Sequence, residues 1–538
     1  MTTQLDIASL HEALSQEFAD DPCIIADQIW TWSQTTDRTR RLATLLRANG
    51  IGNSRPPGSC PPWATGQDHL GILMYNSTEY LESLLGAYKA SAVPFNINYR
   101  YTADELSYLL LDAKPKALIY GGTFAPILAE VLPTLPHRPF LIQVGGELLN
   151  GAVDYASALE STAPEAFDPS PDDRSLLYTG GTTGKPKGVI WRSGDMVTGP
   201  FGIRGKDGSP MDLAGAVARA SRLRGRVLPA PPLMHGAGMA VAMGGWLGGA
   251  TVVIQPEPER FNARVLVDTL AHQRVTSLCI VGDAFAAPIV SDLEERQLAL
   301  PDLRLIVSAG AALRPQLKDR LRELLPQTRV TDLVASSEGM VGSKDTANGS
   351  RIDSRRGAVV LSEDRTRLLA PGADEVGWLA SSGPIPLGYL DDPEKTAQTF
   401  VTVDGNRYSV PGDRARLLAD GSAEFLGRDA TTINTGGEKV YADEVEAVVR
   451  SLPGVLDAVV VGRHSEVWGQ EVVALVHVAD DAVIDEFGSL CRVTLAGYKV
   501  PKQFIPVDAV HRHANGKTDY SWATAAAASA GARAKVED

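Results

Sequence analysis

Short apolar runs separated by helix-spaced segments constrain this chain more than any other feature of its sequence. Residues 70–74 (LGILM), 116–120 (KALIY), 251–254 (TVVI) and 303–310 (LRLIVSAG) have the length and near-continuous apolarity of buried strands. The intervening TEYLESLLGAYKAS (78–91) and RVLVDTLAHQR (264–274) place apolar residues three and four apart, the period of a helix with one buried face. Strands alternating with helices predict an α/β fold with parallel pairing. Pro-rich RPPGSCPP (55–62) and PAPPLM (229–234) read as loops. The chain has 538 residues, beyond one ordinary domain of ~50–250 residues, and its character changes near 428–432. Past that point come a Gly-rich turn, the amphipathic DEVEAVVRSL (443–452) and two β-rich runs, VLDAVVVGR and EVVALVHV. From residue 523 the tail is alanine-rich and reads as a frayed helix.

Charge removes several function classes. Lys+Arg number 51 against 65 Asp+Glu, a net charge of −14 with no basic block, which disfavours nucleic acid and anionic membranes as partners. Any anionic ligand has to be held by local groups. Cys23, Cys60, Cys279 and Cys491 are isolated from one another, so no disulfide framework or metal-spaced pair is expected. The N-terminus lacks a charged-then-apolar signal pattern. Residues 236–254 are uncharged over nearly the ~20 residues a spanning helix needs. Their glycines and the closing TVVI predict instead a buried helix, a turn and a strand. The expectation is a cytoplasmic enzyme with no membrane span.

The most specific string is YTGGTTGKPKGV (178–189), which follows the strand-like SLLY. Gly180, Gly181 and Gly184 allow backbone N–H groups to turn onto phosphate oxygens, while Thr179, Thr182, Thr183, Lys185 and Lys187 add donors and charge. A Walker A loop requires GxxxxGK[ST], and here the spacing is wrong and Pro186 follows Lys185.

TGGTTGKPKG closely resembles the phosphate loop of the acyl-adenylate-forming enzymes, which include acyl-CoA synthetases, peptide-synthetase adenylation domains and luciferases. Further segments follow in that family's order: PPLMHGAG (231–238), SAGAAL (308–313), SSEG (336–339), YSVPGD (408–413), FLGRD (425–429), NTGGEKVYADEVE (434–446) and NGK (515–517). Upstream, YKASAVPFNINYRY (88–101) resembles the early helix-to-strand segment of fatty-acyl members. PPLMHGAG, VGDAFAAP (281–288), NTGGEKVY and the glycine at 181 resemble actinobacterial steroid-acid and fatty-acid CoA ligases.

The resemblance implies a large N-terminal domain (1–427) of α/β layers plus a distorted β-barrel, a hinge at 428–432, and a small mobile α+β C-terminal domain (433–538). It implies acyl-CoA synthesis, in which ATP, a carboxylic acid and CoA give acyl-CoA, AMP and pyrophosphate. An apolar acid, fatty or from a steroid side chain, is expected. A carboxylate is a poor acylating agent, and attack on the α-phosphorus converts its oxygen into part of a good leaving group, AMP. Charge gathers on phosphoryl oxygens in that step, so positioning and electrostatic stabilisation dominate.

By the same resemblance Glu338 helps to hold Mg²⁺, and Ser336, Ser337, Gly310 and Ala311 contact ATP. Asp413 grips the two ribose hydroxyls, a bidentate fit of two acceptor oxygens to vicinal donors, and Arg428 also reaches the ribose. Lys517 is brought onto the carboxylate and α-phosphate oxygens during adenylation, as suits a point cation on a flexible stem. Gly436, Gly437 and Lys439 line the CoA tunnel in the second half-reaction. His235 flanks the acyl pocket, a role that Trp246 and Phe285 share only if they are not simply core. The pattern departs from the family at Val334–Glu338, which lacks the adenine-stacking aromatic, and at Ala430, where Asp or Lys is common. Two alternatives therefore stay open: an acyl-AMP ligase that loads a carrier protein, and a catalytically weakened nucleotide- or acyl-binding protein. A homodimer is also left open.

Overall fold

The computed structural model describes residues 4–53, 59–179, 186–311, 313–345, 351–352, 358–428, 431–435, 438–465, 469–480, 482–495, 497–513 and 518–534. They fall into two compact units, Met1–Ala347 with Ser381–Ser409, and Asn348–Ala380 with Val410–Asp538.

In the first unit each apolar run forms a strand: His69–Leu73, Ala117–Gly121, Thr251–Val253 and Leu305–Ala309. Each lies inside a parallel ladder, which accounts for apolarity without alternation. One sheet runs Ile29–Thr31, Pro22–Ile25, Thr251–Val253, Arg226–Pro229, Ser277–Ile280, Leu305–Ala309, Arg329–Ser336 and Gly339–Asp345, parallel except at its two ends. The other runs Gly388–Tyr389, Lys187–Arg192, Arg174–Thr179, Val93–Asn96, His69–Leu73, Ala117–Gly121, Phe140–Val144 and Ala152–Asp154. It is antiparallel over the first three and parallel beyond them.

The helix-spaced segments form Thr78–Lys89 and Ala263–His272, started by side-chain caps from Ser77 and Asn262. The uncharged stretch becomes the helix Gly236–Leu247, a turn through Gly249 (φ +84°) and the strand Thr251–Val253. Among the described residues no helix is long and apolar enough to cross a membrane.

Ionic contacts stitch together three helices of this unit, Ile7–Glu17, Trp32–Ala48 and Thr78–Lys89. Lys89, with no exposed surface, donates to Glu12 Oε1 at 2.5 Å and to Thr39 Oγ1 at 2.9 Å, and Arg40 Nε donates to the same Glu12 oxygen at 3.0 Å. Glu12 lies on Ile7–Glu17, and Thr39 and Arg40 on Trp32–Ala48. Burial pushes Lys89 down to about 8, against the pull of Glu12.

The second unit contains the two β-rich runs as a long antiparallel ribbon, Val455–Ser465 with Gly469–Val478. Thr432–Thr435, Glu438–Tyr441 and Gln503–Pro506 complete the sheet. Ala458 and Val460 pack on the side of the helix Ala442–Arg450, while Val459 and Val461 face Ala523 and Ala527 of the helix Tyr520–Ala534. The ribbon is thus buried on both faces. This corrects the reading of the alanine-rich tail as frayed: Ala523 and Ala527 are fully buried and close the core, small side chains letting the helix approach the sheet.

Candidate active site

The family-like motifs of the first unit gather at the carboxyl ends of parallel strands, where α/β sheets place ligands. Arg226–Pro229 leads into 231–238, Leu305–Ala309 into Gly310 and Ala311, and Arg329–Ser336 into Ser337 and Glu338. Gly310 has φ +89°, a conformation that L side chains rarely adopt, so glycine is required at that bend. Ala311 beside it is half-buried.

Strand Arg174–Thr179 enters the phosphate-loop motif and Lys187–Arg192 leaves it, paired through Tyr178↔Gly188 and Thr179↔Lys187. Gly180, Gly181, Thr182, Thr183, Gly184 and Lys185 lie outside the described residues, as does the Thr179 side chain. The entry strand is pinned by Asn96, at the end of Val93–Asn96. Its Oδ1 accepts from Tyr178 N–H at 3.1 Å, and its amide donates to Tyr178 O at 3.0 Å and to Met234 O at 2.5 Å. Asn76 holds the Pro-rich segment, donating to Pro231 O at 3.1 Å and accepting from Leu233 N–H at 2.6 Å. Two asparagines thus satisfy buried backbone groups where prolines remove donors. They set His235, half-buried, at the N-terminal boundary of the helix Gly236–Leu247, its N–H on Pro232 O at 3.0 Å. A Cβ at Gly238 would stand 2.6 Å from Pro232 O, so the glycine is a packing requirement.

The turn that carries Ser336, Ser337 and Glu338, all half-buried, is fastened from two sides. Trp191 Nε1 donates to Ser337 O at 2.9 Å and Tyr389 Oη donates to Glu338 Oε1 at 2.9 Å. Glu338 N–H also closes onto Ser336 Oγ at 3.2 Å. Among the described residues Glu338 Oε2 accepts no hydrogen bond, and no group of three or more His, Cys, Asp or Glu could hold a metal ion. A lone carboxylate fits Mg²⁺, which dehydrates reluctantly and takes most of its other oxygens from water and substrate phosphates.

Lys187 is exposed and ion-pairs with Asp392 at 2.5 Å. Burial would raise the Asp392 carboxyl, but Lys187 and the Lys395 N–H hold it below its ordinary value. Trp246 is fully buried against His11 and donates to Cys23 Sγ at 2.8 Å, while the Phe285 ring packs at a tilt against Phe261, centroids 4.2 Å apart. Both serve the core.

In the second unit Asp413 is buried at the start of the strand Asp413–Leu417, directly after Gly412 (φ +109°), and pairs in register with Arg428. The side chains of Arg428 and Lys439 lie outside the described residues, as do Gly436, Gly437 and Ala430. Lys517 does too, but the chain is held on both sides of it. Arg512 and Thr518 form an antiparallel bridge, Arg512 Nη2 donates to Asp457 Oδ2 at 2.8 Å, and Asp519 N–H reaches His511 O at 3.0 Å.

Sequence reasoning missed Asn76, Asn96, Trp191, Tyr389 and Asp392. The last two had a local signal in GYLDDPEKT (388–396), a glycine-aromatic pair before an Asp-Pro helix start. Asn96 ends an otherwise apolar strand, a weaker signal. Trp191 had none.

A family model described as AMP-binding enzyme matches residues 11–377, and one described as AMP-binding enzyme C-terminal domain matches residues 444–517. The chain is 42% identical to the medium-chain acyl-CoA ligase Mig of Mycobacterium avium, over 97% of this chain and 98% of the relative. It is 37% identical to a medium/long-chain-fatty-acid/3-oxocholest-4-en-26-oate CoA ligase of Mycobacterium tuberculosis, over 97% and 96%. A 3-oxocholest-4-en-26-oate CoA ligase of Rhodococcus rhodochrous is 35% identical over 92% and 90%. Among solved structures, the anthranilate CoA ligase AuaEII in complex with anthranoyl-AMP shares the fold, with a TM-score of 0.80 at 21% identity over 99% of both chains.

Proposed function

The chain belongs to the AMP-binding enzymes, and we propose that within them it is an acyl-CoA synthetase for an apolar acid, a medium- or long-chain fatty acid or a steroid side-chain acid. The observation that carries this reading is identity of 42% to a CoA ligase along essentially the whole of both chains. The co-substrates are ATP with Mg²⁺, then CoA. We place the reaction in the cytoplasm, where both CoA and ATP are abundant.

The residue roles proposed are those that the resemblance implies, and they suit the chemistry. Backbone N–H groups of 180–184 with Thr182, Thr183 and Lys185 bind the phosphates, and Gly310, Ala311, Ser336 and Ser337 complete the nucleotide site. Bound Mg²⁺ would neutralise phosphate charge, with Glu338 as its protein carboxylate. Lys517 stabilises the charge that develops as the acid oxygen attacks the α-phosphorus. After pyrophosphate leaves, rotation about 428–432 withdraws Lys517, and Gly436, Gly437 and Lys439 guide the CoA arm to the acyl carbon. His235 borders the acid. In this scheme 1–427 binds ATP and acid, and 433–538 is the moving domain. Asp443 Oδ2 would lie 2.6 Å from a Cβ on Gly427, so glycine lets the 443 helix start pack against the strand before the hinge.

Asp413→Ala removes both acceptors for the ribose hydroxyls. The KM for ATP is expected to rise about 10- to 100-fold with little change in acid dependence, the size of one or two hydrogen bonds to a charged group. ATP dependence of AMP release at saturating acid and CoA measures it, and an unchanged KM contradicts the ribose role. The acid class is tested by AMP release with CoA over a panel of fatty, steroid and aromatic acids. Preference for fatty or steroid acids with free acyl-CoA as product is expected. Strict dependence on a holo-carrier protein would replace this reading with the carrier-loading one.

A further inference from the structure

The segment 388–396 belongs to none of the roles above, yet it meets two of them. Tyr389 is nearly fully buried, its ring against Phe400 at 5.9 Å, and its hydroxyl donates to Glu338 Oε1 at 2.9 Å. Its backbone has little freedom. The Tyr389 N–H donates to Thr396 Oγ1 at 2.9 Å, and Gly388 and Tyr389 pair with Ile190 and Val189. A Cβ on Gly388 would come within 2.6 Å of Thr396 Cγ2 and 2.9 Å of Pro62 O, so the approach requires glycine. Three residues on, Asp392 takes the Lys187 ion pair through Oδ2 and caps the helix Pro393–Thr399 through Oδ1, on the Lys395 N–H at 2.9 Å. The strand that leaves the phosphate loop is therefore fastened at both ends of this segment, and its Trp191 holds the neighbouring Ser337 carbonyl.

We propose that Tyr389 is a positioning residue for Glu338, fixing Oε1 so that Oε2 is presented to the metal, and that Asp392 with Lys187 keeps this support in register with the strand Lys187–Arg192. The inference rests on the assignment of Glu338 to Mg²⁺ made above. A phenol suits the task because it donates without bringing positive charge against the metal. Outer hydrogen bonds to a ligating carboxylate commonly carry about 10- to 100-fold of metal affinity.

The test is equilibrium binding of Mn²⁺ to the full-length protein with ATP and without acid, read from the paramagnetic signal of free Mn²⁺. Tyr389→Phe keeps the ring and loses one hydroxyl, and it is expected to weaken Mn²⁺ binding about 10-fold. Glu338→Gln is expected to weaken it at least as much, and the double variant no further than Glu338→Gln alone. If Glu338→Gln weakens binding and Tyr389→Phe does not, the positioning role is overturned while the metal assignment stands. Additive losses in the double variant would also overturn it, since the tyrosine would then act independently of the carboxylate. If Glu338→Gln leaves the metal constant unchanged, the metal assignment itself fails and the inference with it. Should Tyr389→Phe not fold, Glu338→Asp gives the second reading. It draws the carboxylate back from an intact tyrosine, a comparable loss is expected, and parental affinity would overturn the proposal.

Discussion

Lys517→Ala is expected to slow acyl-AMP formation about 10²- to 10³-fold, the usual cost of removing one donor aimed at developing transition-state charge. Thioester formation from supplied acyl-AMP should keep most of its rate, because the α-phosphorus has by then already been attacked. The asymmetry follows from the chemistry of the two steps. Adenylation crowds negative oxygens around one phosphorus, whereas thioester formation expels AMP from an acyl carbon. The residues on either side of Lys517 are tied to the second unit by the Arg512–Asp457 pair and the Asp519–His511 hydrogen bond, so loss of the side chain should leave that unit folded. Acid-dependent pyrophosphate release and single-turnover acyl-AMP consumption with CoA separate the two rates. Equal losses in both would contradict the division of labour.

Glu12→Ala should destabilise the first unit by about 3–5 kcal/mol, because it strands the buried ammonium of Lys89 with Thr39 as its remaining polar contact among those described. The effect carries its own pH signature. Burial already holds Lys89 at about 8, below its ordinary value, so between about 8 and 10.5 the unfolded chain binds more of this proton than the folded one. Over that window unfolding free energy from this group rises with pH and is lost as pH falls. Without Glu12 the folded-state value drops further, so the deficit of the variant narrows as pH rises to about 8 and is constant above it, larger at pH 7 than at pH 9.5. Urea unfolding of parent and variant at both pH values reads it. Replacing both partners with Glu12→Leu and Lys89→Met should recover most of the loss, since the buried charge goes with its counter-ion. A pH-independent deficit would mean that lost packing, rather than the stranded charge, sets the cost.

What the sequence made legible follows a physical divide. The buried strands could be read because a parallel ladder covered on both faces demands continuous apolarity, as in Leu305–Ala309. The phosphate-loop motif was visible because its donors are neighbours in the chain. The supports of the site were not, because their roles arise only across distance: Tyr389 meets Glu338 51 residues away, Asn96 meets Met234 at 138 and Trp191 meets Ser337 at 146. Each is an ordinary polar or aromatic residue until the fold supplies its partner. The alanine-rich end shows the converse error. An alanine-rich tail read as a frayed helix, yet Ala523 and Ala527 are fully buried against Val459 and Val461.

Exchange of labelled pyrophosphate into ATP, measured with and without an apolar carboxylic acid and in the absence of CoA, asks directly whether acid oxygen and α-phosphorus are joined reversibly on this protein. Exchange that requires both the acid and a divalent cation, and that collapses in Lys517→Ala, is the predicted result. Labelled ATP appearing without acid, or no exchange with any fatty or steroid acid while ATP still binds, would contradict acyl-adenylate formation and leave a nucleotide-binding protein in its place.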